Sequence, residues 1–204
     1  GILSKHEIEP AKTSRAPPQS SHHPPNSPTA LHRDEKAIVE MKPKKHKPSN
    51  PVRPLYRVLL AEGGLTDRVA EAEAALRDCH LCGNDCHIDR TRTVGPCGIR
   101  ETAYVASYGP HHGEEDVLRG RFGSGTIFFS GCNLHCVYCQ NADISQRKAG
   151  FPVSDRDLAD MMLELQNRGC HNVNLVSPSH VVPMIVEGLA IAIIDGLHVP
   201  VVYN

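Results

Sequence analysis

Beyond residue 123 the apolar positions of the chain switch between two periods. TIFFS, residues 126–130, is a short continuous apolar run, the pattern of a strand buried on both faces. Ser154 stands as a helix cap, with Asp155 and Asp157 in the first turn. Leu158, Met161, Met162 and Leu165 then recur at helical spacing until Gly169 closes the segment. NVNLV, residues 172–176, predicts a second strand. A second helix, apolar on most sides, starts at Ser179 or His180, carries Pro183 near its first turn and ends near Gly196; residues 198–203 predict a third strand. Strand, helix, strand, helix, strand implies an α/β fold with parallel pairing through right-handed crossovers. In such sheets functional groups gather at the carboxyl ends of the strands. Those ends carry a cysteine loop, then Ser177-Pro178-Ser179-His180, then Asn204, and all three are expected at one cavity.

Upstream the pattern is weaker. Thr66 predicts the cap of a helix running to about Asp78, with Val69, Ala72 and Leu76 on one face and Asp67 near its positive end. A cysteine-rich stretch follows. AYVASY, residues 103–108, predicts a short strand, and PHHGEED a loop. Residues 1–53 differ in composition, holding more than half of the prolines and seven of the eight lysines. Stretches such as SSHHPPNSP and KPKKHKPSNP bury too little apolar area to offset the entropy of ordering, so this tail is expected to be disordered. Its basic run, residues 42–47, reads as a solvated linker, with contact to an acidic partner or an address signal as the alternatives. The pair His22-His23 is too short to argue for metal. The chain thus divides into a tail, 1–53, a helix with a cysteine-rich segment, 54–122, and an α/β region, 123–204. It begins at Gly1 and stops at VPVVYN inside a predicted strand, so both ends read as cut.

Charge and hydropathy remove some partners. With 204 residues and a formal net charge of −1, nothing draws the chain globally to nucleic acid or to an anionic membrane. The longest apolar run, residues 181–194, is interrupted by Pro183 and Glu187 and is too short to span a bilayer. Seven of the eight cysteines fall in two tight groups rather than in a disulfide framework, and no secretory signal is visible. A reducing, cytoplasmic setting is the expectation.

The cysteine groups carry the chemistry. Cys132, Cys136 and Cys139 are spaced C-x3-C-x2-C directly after the first predicted strand, and Gly131 permits a tight turn there. Soft thiolates select zinc, copper(I) or an iron–sulfur cluster. Structural zinc needs a fourth ligand, from His135 or from the other group. A [4Fe–4S] cube on three cysteines instead leaves one iron open to an exogenous group. Cys79, Cys82, Cys86 and Cys97, spaced C-x2-C-x3-C-x10-C among Gly83, Gly95 and Gly98, make a complete soft set for zinc or an auxiliary Fe–S cluster, with His80 and His87 as spare ligands. Cys170 reads as a buried small apolar residue, and Met161 and Met162 as core. His111, His112, Glu114 and Glu115 are either acid–base groups near the cluster or a solvated charged loop.

GCNLHCVYCQN resembles the CxxxCxφC signature of the radical S-adenosylmethionine superfamily, with Tyr138 as the aromatic φ. More closely, GSGTIFFSGCNLHCVYCQN, HNVNLVSPSH and VPVVYN resemble an uncharacterised family labelled as pyruvate formate-lyase activating enzyme-like Fe–S proteins, over roughly residues 75–204. The resemblance implies the first three βα units of a partial (β/α)6 barrel, preceded by the Cys-rich segment and the tail. It implies a [4Fe–4S] cluster on Cys132, Cys136 and Cys139, with S-adenosylmethionine chelating the fourth iron. The implied reaction is reductive cleavage to methionine and a 5′-deoxyadenosyl radical that abstracts hydrogen. Tyr138, Gln140 and Asn141 are then expected near the adenine, and Ser177, Ser179 and His180 at the methionine end. At that place relatives carry a Gly-Gly-Glu-like stretch and this chain does not. Asn204 is expected to reach the ribose. An electron donor such as flavodoxin or ferredoxin is implied, and a glycyl-radical protein substrate follows from the family label alone. Two other readings stand beside this: a zinc-binding interaction module without catalysis, and an inactive, poorly soluble fragment with an unpaired edge at residues 198–203.

Overall fold

The computed structural model describes residues 53–204. The proline-rich tail, its basic run and the pair His22-His23 lie outside the described residues. In chain order the elements are helices α1 (Leu55–Ala61) and α2 (Leu65–Ala74), strand β1 (Ala103–His111), helix α3 (Asp116–Arg119) and strand β2 (Ser124–Phe129). Then come helix α4 (Ala142–Ser145), strand β3 (Phe151–Val153), helix α5 (Asp155–Asn167), strand β4 (Val173–Val176), helix α6 (Val182–Ile194) and strand β5 (Val201–Tyr203). A single 3-10 turn, Ser179–Val181, leads into α6.

The strands form one sheet in the order β3-β1-β2-β4-β5. β2, β4 and β5 pair in parallel, with Ile127 opposite Leu175 and Leu175 opposite Tyr203, as the strand–helix alternation predicts. On the other side of β2 the sheet turns antiparallel. β1 pairs with β2 from Val105 opposite Phe129 to His111 opposite Ser124, and β3 pairs with β1. The α/β class holds, but the sheet is mixed, with strands from both sides of residue 123. β1 also outruns its predicted end. Pro110 and His111 belong to the strand because Gly125 and Ser124 continue opposite them, so the loop begins after His111. β3 is three residues long and contains Pro152, which a strand tolerates at an edge; its apolar signal is too short to see in advance. β5 begins at Val201, later than expected.

Two of the helices follow from their sequence signals. Ser154 caps α5: its hydroxyl accepts from the Asp157 N–H at 3.1 Å, and the Asp157 carboxylate accepts from the Ser154 N–H at 2.8 Å. Leu158, Met162 and Leu165 are fully buried against Ile127, Val173 and Leu175 of the sheet. α6 lies alongside α5 at close range, because a Cβ on Gly188 would sit 2.9 Å from the Leu158 Cβ and 3.0 Å from the Asp155 carbonyl oxygen. α2 differs from its prediction. Gly64 is its cap, with no side-chain cap bond, and Thr66 is an exposed residue inside the first turn. The helix ends at Ala74, and Leu76 is buried in the turn beyond it.

The second face of the sheet is polar yet buried. Ser124, Thr126, Asn172 and Asn174 are 0–3% exposed. The segment around α3 folds over them: Asn172 donates to the Leu118 carbonyl at 2.7 Å and accepts from the Ser124 hydroxyl at 2.8 Å.

Candidate metal centre at the ends of the parallel strands

The carboxyl ends of β2, β4 and β5 lie side by side. The Ser177 N–H donates to the Asn204 carbonyl at 2.9 Å, and the Tyr203 hydroxyl donates to Ser179 Oγ at 2.9 Å. His180 reaches the end of β2, its Nε2 lying 3.0 Å from the Ser130 carbonyl. Burial holds the His180 imidazole below its ordinary value. The neutral ring therefore donates from Nε2 to Ser130, and among the described residues Nδ1 has no partner. Ser177 holds φ at +55°, a left-handed conformation costly for a residue with a Cβ, at the point where β4 leaves the sheet.

The three-cysteine loop springs from Ser130 and Gly131. Gly131 has φ of +81°, and a Cβ there would meet the Cys97 carbonyl oxygen at 2.9 Å and the Ile99 side chain at 3.0 Å. Only glycine fits this seam. Cys132 is buried, Cys139 half-buried and Cys136 exposed, and all three are free thiols. The Leu134 N–H points at Cys132 Sγ at 3.4 Å, and Cys139 Sγ lies 3.2 Å from the Ser145 hydroxyl. Helix α4 braces the loop from behind: Gln146 Nε2 donates to the Cys136 carbonyl at 2.8 Å, and the Gly131 N–H donates to the Ile144 carbonyl at 2.9 Å. Tyr138 is 90% exposed and Val137 99% exposed. Gln140 and Asn141 are exposed too, and Asn141 opens α4 through its carbonyl. The three cysteines, Tyr138, Gln140, Asn141, Ser177, Ser179, His180 and Asn204 therefore share the carboxyl end of the parallel strands, with Tyr138 on the open side of the loop and His180 in the core beneath it. His111, by contrast, pairs with Ser124 at the amino end of β2, so the charged loop after it starts at the opposite end of that strand.

The four-cysteine segment packs directly against this loop. Asn84 Nδ2 donates to the carbonyl of Asn133, the residue after Cys132, at 3.2 Å. Cys79 and Cys97 are buried, whereas Cys82 and Cys86 are half-buried. Cys86 Sγ lies 3.6 Å from the Cys79 carbonyl, and burial together with the adjacent Cys79 pushes the Cys86 thiol up. Among the described residues no three Cys, His, Asp or Glu side chains converge on one point, in either group. The donor chemistry nonetheless suits a soft metal, since seven free thiols sit on two abutting loops and an N–H is already aimed at one sulfur.

Several residues here escape sequence reasoning. Arg90 is fully buried and is bonded to the carbonyls of Ile99 (3.2 Å), Arg100 (2.6 Å) and His180 (2.7 Å), while Cys79 Sγ lies 3.9 Å away. Nothing in DRTR distinguishes it from exposed Arg92. Asn174, mid-strand in NVNLV, is a visible signal in retrospect: it is fully buried, and its Nδ2 faces Glu114 at 3.4 Å. Of the charged loop, Glu114 thus leans onto the sheet. His111 sits on β1 edge-on to Phe128, His112 is exposed, and Glu115 opens α3. Cys170 is buried and donates weakly to the Phe122 carbonyl. Among the described residues no helix is long and apolar enough to cross a membrane.

The chain is 44% identical over 79 residues to an uncharacterized protein of Methanocaldococcus jannaschii. The aligned part is 39% of this chain and 22% of that protein, so the chain spans well under two thirds of its relative. No solved structure gives a significant match. Residues 126–203 match the Radical SAM superfamily model. The matched stretch takes in most of β2, all of β4 and β5, and all three cysteines of the loop.

Proposed function

We propose that Cys132, Cys136 and Cys139 hold a [4Fe–4S] cluster and that the chain is part of an enzyme acting on S-adenosylmethionine. One observation carries this reading: a C-x3-C-x2-C loop at the end of the first parallel strand, inside the region matching the Radical SAM superfamily. Held by these three cysteines, such a cluster would supply, when reduced, the one electron needed to split S-adenosylmethionine into methionine and a 5′-deoxyadenosyl radical.

The chain's own residues supply position. Gly131 turns the backbone out of β2 so that Cys132 starts the loop at the strand end. The Leu134 N–H offers a hydrogen bond to the Cys132 sulfur, and α4 fixes the backbone at Cys136 through Gln146. His180 ties the end of β2 to the segment after β4, so the loop and the Ser177–Ser179 stretch keep a fixed spacing. Ser177, Ser179 and Asn204, gathered at the neighbouring strand ends, line the side on which an amino acid and ribose would lie. An electron-donor protein such as flavodoxin or ferredoxin, a protein substrate and a cytoplasmic setting belong to this same reading.

The test is anaerobic reconstitution of the full chain, followed by reduction with S-adenosylmethionine present. Iron and sulfide at about four each per chain, with 5′-deoxyadenosine as product, support the proposal. Stoichiometric zinc on Cys132, Cys136 and Cys139, without iron, would falsify it.

A further inference from the structure

We infer that Cys79, Cys82, Cys86 and Cys97 form a second, closed four-thiolate zinc site, braced against the three-cysteine loop, with Arg90 as its buried counter-cation. The starting point is Arg90. A guanidinium stays charged in a protein, and burial without an anion is strongly unfavourable. Among the described residues its partners are three main-chain carbonyls and the sulfur of Cys79, with no carboxylate. Four thiolates on a divalent ion carry a net negative charge, which is the countercharge this position lacks.

The backbone already arranges the ligands around Arg90. The Cys79 N–H donates to the Ile88 carbonyl at 3.0 Å and the His87 N–H to the Cys79 carbonyl at 2.9 Å, closing residues 79–88 into a loop with Cys79 at its base. Within it the Asp85 N–H turns back onto the Cys82 carbonyl at 3.0 Å. Cys97 sits on a second turn, closed by Gly98 N–H to Gly95 carbonyl at 2.8 Å. Arg90 joins the two turns. Its Nε donates to the Ile99 carbonyl, which Cys97 Sγ also approaches at 3.9 Å, and its Nη1 faces Cys79 Sγ. Gathering the four sulfurs requires movement of the 82–86 turn. Asp85 (φ +40°) and His87 (φ +49°) already hold left-handed backbone there, a conformation kept only where surroundings impose it.

A complete set of four thiols leaves no open position, so the site is structural, unlike the three-cysteine loop. Its place gives it a task. The turn bearing Asn84 holds the Asn133 carbonyl, and the Cys97 carbonyl abuts Gly131, so the segment clamps both sides of Cys132.

The experiment uses the full chain with Cys132, Cys136 and Cys139 all changed to Ala, so its outcome does not depend on the radical chemistry. The expected result is roughly one zinc per chain and no iron, lost when Cys79→Ser and Cys97→Ser are added. Cobalt in place of zinc should show thiolate-to-metal charge transfer, reduced by about a quarter in Cys82→Ser, whose side chain is half-buried and whose fold is checked by circular dichroism. Arg90→Gln should speed zinc transfer to a chelator by about tenfold or more. Iron with sulfide in the triple variant, or no bound metal, overturns the site. An unchanged transfer rate in a folded Arg90→Gln protein overturns the counter-cation.

Discussion

Arg90 donates to the main-chain carbonyl of His180 at 2.7 Å, across 90 residues of sequence. His180 in turn reaches Ser130, two residues before Cys132. One buried guanidinium and one buried imidazole thus connect the four-cysteine segment, the end of β4 and the start of the three-cysteine loop. Arg90→Ala leaves three main-chain carbonyls, two of them in buried contacts, without their donor. Unfolding in urea should show a loss of about 3 kcal/mol or more. A loss below about 1 kcal/mol would mean that water replaces the guanidinium and that the connection carries little.

Cys136 is the exposed member of its set, and its sulfur has no packing role in the fold. Cys136→Ser should therefore change unfolding free energy by no more than about 0.5 kcal/mol while abolishing iron incorporation on reconstitution. Full iron content in this variant would remove Cys136 from the ligand set.

The α5–α6 contact depends on Gly188. A methyl group at that position meets the Leu158 Cβ and the Asp155 carbonyl, neither of which can swing aside. Gly188→Ala should cost about 1–3 kcal/mol despite the higher helix propensity of alanine. A gain in melting temperature would show that the two helices separate without penalty.

Glu187 on α6 faces Asp155 at the start of α5. Burial, then the hydrogen bond and charge of Asp155, push its carboxyl up to about 7. A raised acid binds its proton more tightly when folded, so the folded state is favoured most below the ordinary value of 4.5, and this contribution fades as pH rises through about 7. Melting temperature should fall between pH 5 and pH 8 in the natural chain and fall less in Glu187→Gln. Parallel profiles for the two proteins would rule out this carboxyl as the source.

Much of the parallel half was legible in advance. A short continuous apolar run such as residues 126–130 reads as a buried strand, and Ser154 with Asp157 marks a helix start through local hydrogen bonds alone. These signals are short-range, and the structure keeps them. Tertiary determinants leave no such local trace. Thr66 has a capping side chain, but the turn at Gly63 and Gly64, with φ of +77° at Gly63, starts α2 two residues earlier. β3 and the antiparallel placement of β1 depend on which edge of β2 is left to them, and that edge is the one opposite β4.

The sequence by itself determined the two thiol sets, their spacing, and the strand end from which the three-cysteine loop springs, because residue type and local periodicity specify these. The tertiary structure decided that the two sets abut. Asn84 on Asn133, Cys97 against Gly131, and Arg90 on His180 are contacts across 34 to 90 residues. No local pattern encodes them; they exist because a buried charge and buried carbonyls must find partners once the sheet has closed around them.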